Sequence, residues 1–380
     1  MSGKRFVRRI LPAIMALVFV FAVAGCGGGG QAKGEKIVKI GVAQPLTGSA
    51  ANDGKMSRDG AALALEHAKG RSELAGYKIE LISEDDKSDP KDAAAIANKF
   101  AGDDKVLAVI GNYNSSCTLA AAPILTKAGI PQISTGSSSP KITGYSKFLF
   151  RTQPTDALVG ANIVNWASEL GFKKAAVIYE NSDFGKGLHE LYKELWPKDG
   201  RVIVAEESYL PGSTTDFTPI LTKVKSAGAD VVLLGSLYNE AALMGKQSRQ
   251  VGLAITYFGD SSQHTNALID LGKENVGGWH VIGCLDPTAK DEKATKFFSD
   301  FKQKYGNDPN TFAAQAYDAM MLVLEGLAKN GPDRAKLQEY LFTVKDYPGI
   351  TGKLTFKNGD VDKKLFRFVV KDGKFVAVEK

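Results

Sequence analysis

The chain has 380 residues, 44% of them hydrophobic and 24% charged, which is enough for two domains with proper cores. Four of its 48 basic residues and no acidic residue fall within the first 25 positions, so the rest of the chain carries 44 basic residues against 42 acidic ones. The chain is therefore nearly neutral and has no basic stripe, which argues against a nucleic-acid-binding protein.

The first residues indicate an export signal rather than part of the fold. Basic residues at positions 4, 5, 8 and 9 precede an apolar stretch at residues 10–24 that is short for a membrane span. The sequence VAGC at residues 23–26 looks like a bacterial lipobox, which implies cleavage before Cys26 and acylation of its thiol. The alternative is an ordinary signal peptide with an incidental cysteine. We predict a lipoprotein signal peptide at residues 1–25 and a flexible, glycine-rich tether at residues 26–35.

The next part of the chain alternates short apolar runs with amphipathic segments. Strands are predicted at residues 36–42, 77–83, 106–110 and 130–133, and helices at residues 55–69, 90–101 and 115–127. Strands that alternate with helices in this way are typical of a doubly wound parallel sheet.

Around residues 148–155 the pattern starts again and predicts a second sheet of the same kind. Its strands are predicted at residues 174–179, 202–207, 230–235, 256–259 and 279–283, and its helices at residues 156–170, 185–196, 217–227 and 240–251. Helices follow at residues 291–305, 311–329 and 333–343. The last strands are predicted at residues 354–356, 365–370 and 375–378, and Asp372-Gly373 predicts a hairpin between the final two.

Two polar loops follow the two strands that frame the helix at residues 115–127. The first, residues 111–116, ends in a pair of serines at the expected helix start, and the second, residues 134–139, is rich in hydroxyl groups. Both should lie at the carboxyl ends of their strands, where open α/β sheets bind ligands. Free N–H groups, a helix N-terminus and hydroxyls suit a small anion such as a carboxylate. The alternative is ordinary turn chemistry.

Sequence signals for catalysis or metal binding are absent. The four histidines are scattered without metal-ligand spacing, and the chain contains neither a phosphate-binding Walker loop nor a nucleophile elbow. We therefore expect no metal, no cofactor and no enzymatic activity. Cys117 and Cys284 could pair in an exported protein or could remain as buried thiols, and their spacing does not decide between these states.

Six stretches, weak singly, form a specific pattern when taken in order. They are VKIGVAQPLTGSAANDG (38–54), DDKSDPKDAAAIANKF (85–100), VIGNYNSSCT (109–118), IPQISTGSSSPKIT (130–143), YENSDFGKGL (179–188) and YPGITGKLTFKNGD (347–360). The pattern resembles the type I periplasmic binding proteins, and more narrowly the Leu/Ile/Val-binding (branched-chain amino acid) subfamily that feeds ABC transporters.

The resemblance implies an α/β fold of two doubly wound, parallel-sheet lobes joined by a three-crossing hinge. Lobe one would comprise residues 36–152 and 286–345, and lobe two residues 153–285 and 346–380. The crossings are expected near residues 151–155, 285–287 and 346–349, and ligand binding is expected to close the lobes.

The resemblance also implies a site for an amino acid. The hydroxyl loops would hold the ligand carboxylate through Ser115, Gly136 and Ser138, with Ser116 and Ser137 beside them. Asp260 would take the ammonium, although an alignment without a gap places Ser261 there. The side-chain pocket would be formed by Tyr113, Phe184, Leu237 and Tyr238.

Several positions depart from the family pattern. Phe184, Leu237 and Asp53 stand where the family has tyrosines, so hydroxyl groups are lost from the expected pocket. Ser88 and Asn114 stand where the family often has a disulfide between two loops of lobe one. The resemblance therefore supports the carboxylate half of the site more firmly than the ligand's side chain.

The resemblance implies a function outside the cytoplasm. We expect an exported, lipid-anchored, monomeric receptor that captures a small amino acid, branched-chain or related, and delivers it to an ABC transporter permease. The alternatives are a ligand-sensing receptor domain of the same fold and a receptor for a carboxylate that is not an amino acid. An enzyme on this scaffold is a third alternative, against which the missing nucleophile–base pair argues.

The lipobox gives a direct prediction about the N-terminus of the mature protein. Mass spectrometry of protein extracted from membranes should find Cys26 as the first residue, with diacylglycerol on its thiol. Several acyl chains are expected, because a single chain anchors a protein only marginally. An unmodified mature N-terminus at another residue would contradict this prediction.

Overall fold

The computed structural model describes residues 35–285 and 291–378. The predicted signal peptide and almost all of the predicted tether, including Cys26, lie outside these ranges. In the part of the chain that the structure describes, no helix is both long enough and apolar enough to cross a bilayer.

Strands and helices alternate through the described residues in nearly the predicted order. The strands are β1 (Lys36–Gln44), β2 (Tyr77–Asp85), β3 (Val106–Gly111), β4 (Gln132–Ser134), β5 (Leu149–Arg151), β6 (Lys174–Glu180), β7 (Val202–Tyr209), β8 (Val231–Gly235), β9 (Thr256–Gly259), β10 (His280–Gly283), β11 (Tyr347–Gly349), β12 (Gly352–Leu354), β13 (Phe356–Lys357), β14 (Asp360–Val361), β15 (Phe366–Lys371) and β16 (Lys374–Val378). The helices are α1 (Ala51–His67), α2 (Pro90–Ala101), α3 (Ser115–Lys127), α4 (Asp156–Glu169), α5 (Asp183–Leu195), α6 (Thr218–Ser226), α7 (Tyr238–Gln250), α8 (Asn266–Gly272), α9 (Glu292–Tyr305), α10 (Thr311–Asn330) and α11 (Arg334–Phe342).

The first sheet has five strands in the order β2-β1-β3-β4-β5, and all neighbouring pairs are parallel. Its central strand β3 has the sequence VLAVIG, and all six residues are buried. A continuous apolar run is expected where helices cover both faces of a parallel sheet. The predicted doubly wound sheet is confirmed for this lobe.

The second sheet has seven strands in the order β16-β15-β10-β9-β8-β6-β7. Strands β6 to β10 are parallel, whereas β15 and β16 run antiparallel at one edge, so the second sheet is mixed rather than purely parallel. The β15–β16 hairpin turns at Asp372 and Gly373, which have φ values of 51° and 68°. Positive φ at both turn positions is the geometry that Asp-Gly favours, and this confirms the predicted hairpin.

The last part of the chain contributes to the first lobe for longer than predicted. Ile350, Leu354, Phe356 and Val361 are buried in the same apolar core as β1, β3, α1 and α10. We expected a crossing at residues 346–349, but the chain instead forms two short hairpins, β11–β12 and β13–β14, before it joins the second sheet at β15. The sequence predicted only one strand here, at residues 354–356, because strands of two or three residues carry little periodicity.

The hinge is held by side chains of α10 and the adjoining crossings. Gln315 of α10 donates from Nε2 to Gln153 Oε1 at 2.9 Å and to Cys284 Sγ at 3.0 Å, and its backbone carbonyl accepts a hydrogen bond from Thr152 Oγ1 at 3.2 Å. One residue thus connects the crossing after β5 with the crossing after β10. Cys117 and Cys284 are both buried, free thiols.

Helix α1 begins at Ala51, four residues before the predicted start, and it approaches its neighbours very closely through two glycines. A Cβ on Gly54 would lie 1.9 Å from the Pro45 carbonyl oxygen, and a Cβ on Gly60 would lie 2.0 Å from the Ala313 carbonyl oxygen in α10. Gly54 weakens the helical pattern in the sequence, yet its missing side chain is what lets α1 start beside the first loop.

The contact at Gly60 predicts a specific loss of stability. Gly60→Ala should lower the free energy of unfolding by about 1–3 kcal/mol, because the added methyl group must push α1 away from the α10 backbone. Urea unfolding would measure this difference.

Gly102→Ala provides the matched control for Gly60→Ala. Gly102 is exposed at the end of α2 with φ −81°, and the nearest atom to a Cβ there is 3.6 Å away. This control should leave stability unchanged or slightly raised. Equal stability of the two variants would contradict the packing argument.

Candidate functional site

The two polar loops of the first lobe are joined by the buried residue Asn112. Its carbonyl oxygen accepts hydrogen bonds from Ser134 Oγ at 2.7 Å and Ser137 Oγ at 3.3 Å. Its side chain donates to Asp86 Oδ2 at 2.7 Å and accepts from Gln132 Nε2 at 3.1 Å. The loops after β3 and β4 are therefore one hydrogen-bonded unit at the carboxyl edge of the sheet.

Ser115 and Gly136 lie where the two loops meet, and Ser138 is a buried residue of the second loop. The Ser139 N–H donates to Ser115 Oγ at 3.3 Å, which places the first serine of α3 against the second loop. A Cβ on Gly136 would lie 2.4 Å from the Tyr113 ring, so only glycine lets the second loop pass there. Helix α3 begins at Ser115, so its N-cap is Asn114 and not the serine pair that the sequence predicted for that position.

Ser116 and Ser137 point in other directions. The Ser137 hydroxyl donates to the Tyr113 carbonyl oxygen at 3.0 Å, and the Ser137 N–H donates to Ser134 Oγ at 3.1 Å, so both groups serve the loop framework. Ser116 Oγ donates to Asp183 Oδ2 of the second lobe at 2.9 Å and accepts from the Asp183 N–H at 3.1 Å. Ser116 thus contributes a contact between the lobes.

Arg151, at the end of β5, fixes the far side of the second loop. This fully buried guanidinium donates from Nη1 to the Ser139 carbonyl oxygen at 2.9 Å and from Nη2 to Thr143 Oγ1 at 2.7 Å. Its Nε donates to Asp360 Oδ1 of strand β14 at 2.7 Å. The position of the hydroxyl loop therefore depends on a hairpin more than 200 residues further along the chain.

The second lobe brings its predicted residues to the opposite wall. Phe184 lies in the first turn of α5, Leu237 and Tyr238 lie at the start of α7, and Asp260 directly follows β9. All four are buried, and Phe184 and Leu237 share one apolar cluster with Tyr113 of the first lobe. The structure therefore gathers the predicted pocket residues from both lobes.

A cavity of about 420 Å³ lies between the lobes at this position. Ser115 and Ser116 line it from the first lobe, and Glu180, Phe184 and Leu237 line it from the second. Glu180 was not among the predicted site residues, because a glutamate is common where a strand leads into a surface loop.

Asp53 is buried in the first-lobe wall and is well provided with hydrogen-bond donors. Tyr113 Oη donates to its Oδ2 at 3.0 Å, while Asn310 Nδ2 and Asn52 Nδ2 donate to its Oδ1 at 2.8 Å and 3.0 Å. Burial nevertheless raises the pKa of Asp53 to about 7, against the effect of these donors. Asp53 therefore orients Tyr113, which otherwise could rotate within the pocket.

Asp260 lies close to three other buried carboxyl groups of the cleft. Its Oδ1 accepts from the Ser262 N–H at 2.8 Å, and burial raises the pKa of Asp260 to about 6. Its charge also raises the pKa values of Asp53, Asp156 and Glu180. Ser261, the alternative position, contacts Cys284 Sγ at 3.7 Å in the hinge. Asp260 therefore lies among the buried carboxyl groups of the cleft, whereas Ser261 lies at the hinge.

Asp156 is a residue of the candidate site that sequence reasoning missed. It is the first residue of α4 and is fully buried, and neither of its carboxylate oxygens has a hydrogen-bond partner of good geometry among the described residues. Burial raises the pKa of Asp156 to about 8, and the nearby Ser138 side chain opposes part of this shift. The sequence signal was weak, because an aspartate in the first turn of a helix is common.

A two-lobed α/β chain with a polar, buried cleft at the carboxyl edges of both sheets has the architecture of a solute-binding protein. The chain belongs to the periplasmic binding protein family, whose model matches residues 37–374. Members of this family that serve ABC transporters are extracytoplasmic, and the predicted resemblance to their Leu/Ile/Val-binding branch is confirmed.

The relatives agree with this assignment over nearly the whole chain. An amino acid binding protein of Pseudomonas aeruginosa is 31% identical over 347 residues, covering 88% of this chain and 89% of the relative. The leucine-, isoleucine-, valine-, threonine-, and alanine-binding protein of the same organism is 30% identical, with the same coverage. The branched-chain amino acid transporter substrate-binding protein LivJ from Streptococcus pneumoniae, solved in complex with isoleucine, is 30% identical with a TM-score of 0.84, covering 90% of this chain and 99% of LivJ.

The raised pKa of Asp156 predicts how the stability of the ligand-free protein depends on pH. The folded protein keeps this proton up to about pH 8, whereas the unfolded chain loses it near the ordinary value of 3.8. The free energy of unfolding should therefore fall as the pH rises from about 4 to about 8, by up to about 1.4 kcal/mol per pH unit for this group.

Asp156→Asn tests this dependence, because the amide has no proton to lose. Urea unfolding at about pH 5 and about pH 8 should show a smaller loss of stability in Asp156→Asn than in the wild type. Asp199→Asn, which alters an aspartate whose side chain is 85% exposed, should keep the wild-type slope. An unchanged slope in Asp156→Asn would show that this carboxyl is already ionised.

Proposed function

We propose that the protein is a lipid-anchored receptor outside the cytoplasm that captures a small amino acid, branched-chain or related, between its lobes and delivers it to an ABC transporter permease. The observation that carries the proposal is the pairing, within one cleft, of a hydroxyl-rich anion site with buried carboxyl groups that lack cations. The two halves of this cleft complement the two charges of an amino acid. The amino acids named for the relatives, isoleucine in LivJ among them, support the same ligand class.

The first-lobe loops are suited to the ligand carboxylate. Ser115 stands at the N-terminus of α3, where the helix dipole favours a negative charge, and Ser138 and the Gly136 backbone lie beside it. Charge-assisted hydrogen bonds of this kind contribute on the order of 1.5–3 kcal/mol each. Ser137 supports the loop from within, and Ser116 acts between the lobes.

Asp156 and Asp260 are suited to the ligand ammonium. Both carboxyl groups are buried, and among the described residues only the Ser138 hydroxyl lies near enough to Asp156 to favour its ionised form, without a hydrogen bond of good geometry. An ammonium beside Ser138 would restore the ionised form of Asp156, which burial otherwise disfavours. Tyr113, Phe184, Leu237 and Tyr238 then surround the side chain of the ligand.

The contacts between the lobes are suited to closure around the ligand. Lys141 of the first lobe pairs with Asp183 Oδ1 at 2.8 Å, beside the Ser116 contact, and Asn52 Nδ2 donates to Thr265 Oγ1 at 3.3 Å. We infer that these polar contacts form when the lobes close and break when they open. Such hinge closure is typical of periplasmic binding proteins.

The proposal includes an anchor at the membrane and a monomeric state. A lipid on Cys26 and the flexible, glycine-rich tether at residues 26–35 would keep a monomeric binding unit at the membrane, close to the permease. The anchor rests on the sequence alone, since these residues lie outside the described structure.

Calorimetry with amino acids tests whether the ligand carboxylate and ammonium bind the residues proposed for them. Asp156→Asn, Asp260→Asn and Ser138→Ala should each weaken binding of the preferred amino acid by about 1–3 kcal/mol, as expected for losing one charged or charge-assisted partner in a desolvated site. Asp199→Asn is the matched control in the second lobe and should bind as the wild type does.

The pattern across these variants identifies the ligand class. Affinities within about twofold of wild type for both aspartate variants would contradict the ammonium assignment, since a lost ionic partner costs more than that. If only Ser138→Ala weakens binding, the ligand is a plain carboxylate. A thermal-shift panel of amino acids and small carboxylates would select the ligand, because binding to the folded state raises the melting temperature.

A further inference from the structure

Glu180 is a second buried carboxyl group of the cleft without a complete set of partners. It ends strand β6, is 2% exposed and lines the 420 Å³ cavity together with Ser115, Phe184 and Leu237. Ser182 Oγ donates to its Oε1 at 2.6 Å, while its Oε2 has no hydrogen-bond partner among the described residues. One oxygen of a residue that lines the cavity is therefore left without a partner.

Glu240 has the same arrangement on the neighbouring helix. It lies in the first turn of α7, is 3% exposed, and its Oε1 accepts from the Gly212 N–H at 2.9 Å. Gly212 also lines the cavity, and Glu240 Oε2 has no partner within the described structure. Glu240 is near enough to Glu180 to raise its pKa, which burial brings to about 8.

Structural support of the lobe explains one oxygen of each carboxyl group but not the other. No lysine or arginine of the described residues pairs with either one, and the neighbouring Tyr209 hydroxyl contacts Ser236 Oγ at 2.6 Å instead. A buried carboxyl group with an unsatisfied oxygen either keeps its proton, as the raised pKa of Glu180 indicates, or ionises when a donor or cation arrives. The cavity beside Glu180 is the route by which such a partner can come.

We propose that Glu180 and Glu240 form a subsite for a nitrogen donor at the far end of the ligand's side chain, so that the preferred ligand is an α-amino acid ending in an amine, guanidine or amide. This inference rests on the proposed capture of an α-amino acid, since Ser115 and Ser138 hold the other end of the same ligand, and it replaces the branched-chain side chain of that proposal with one that carries a terminal nitrogen. Phe184 and Leu237 lie between the two ends and suit an aliphatic stem. Glu180 lines the cavity directly, and Glu240 reaches it through Gly212, whereas the tyrosine hydroxyls that the family has at positions 184 and 237 are missing.

Calorimetry with matched ligands on the mature protein tests the subsite. Norleucine has the stem of lysine without its amine, and lysine, ornithine, arginine and glutamine each add a terminal nitrogen donor. The best of these four should bind about tenfold or more tightly than norleucine, as a satisfied buried carboxyl requires. Glu180→Gln and Glu240→Gln should remove most of that advantage and change norleucine binding by less than about twofold.

The controls separate this inference from the proposed function. Glu194→Gln removes an exposed carboxylate of α5 in the same lobe and should preserve the preference for the nitrogen-bearing ligand. Melting temperatures establish that each variant folds, and Glu240→Gln serves alone if Glu180→Gln does not. Leucine or isoleucine binding as tightly as the nitrogen-bearing ligands, with both glutamine variants unchanged, would overturn the subsite and leave the proposed function intact. Binding of no amino acid at all would overturn both.

Discussion

The cost of burying carboxyl groups is the constraint on which the cleft depends. A carboxylate that leaves water must find donors or a cation, or it must keep its proton. Asp53 finds three donors, and Asp260 finds the backbone of its own loop. Asp156 and Glu180 keep oxygens that the described residues do not satisfy. The unsatisfied carboxyl oxygens of the cleft therefore indicate a ligand that carries hydrogen-bond donors or a positive charge.

Rigidity within the first lobe contrasts with weak attachment between the lobes. Asn112 and Arg151 tie the hydroxyl loops together through buried hydrogen bonds, which are strong where water is excluded. The contacts of Asp183 with Ser116 and Lys141 lie near the surface, and the Lys141 side chain is 61% exposed. Exposed ion pairs contribute little to stability, so these polar contacts oppose opening only weakly, although opening would also part Tyr113 from Phe184 and Leu237.

Much of the fold could be predicted from the sequence, because strands and helices differ clearly in hydrophobic period. Strand β3 and helix α2 lie within a residue of their predicted bounds, whereas the seven-residue α8 was missed. The short hairpins β11–β12 and β13–β14 were assigned to the wrong side of the hinge, because their lobe is decided by tertiary packing alone.

The candidate site could be predicted only in part, for a related reason. Ser115 and Ser138 could be predicted because they lie in loops that directly follow strands. The directions of the Ser116 and Ser137 side chains could not, because they depend on hydrogen-bond partners that are remote in the chain. Asp156 and Glu180 became candidates only when their burial and missing partners were visible. Sequence patterns place residues at an edge of a sheet, and only packing decides which of them lose water.

The bond between Arg151 and Asp360 also joins an early part of the chain to one that is synthesised near the end. The first 151 residues contain every strand of the first sheet, yet its core is completed by α10 and by residues up to Val361. An N-terminal fragment leaving the ribosome or a membrane pore therefore cannot finish this lobe, because half of its apolar interior has not yet arrived. The hydroxyl loop gains its final shape only when nearly the whole polypeptide is present. The contacts that hold the loop we propose for the ligand carboxylate are thus completed only late in synthesis of the chain.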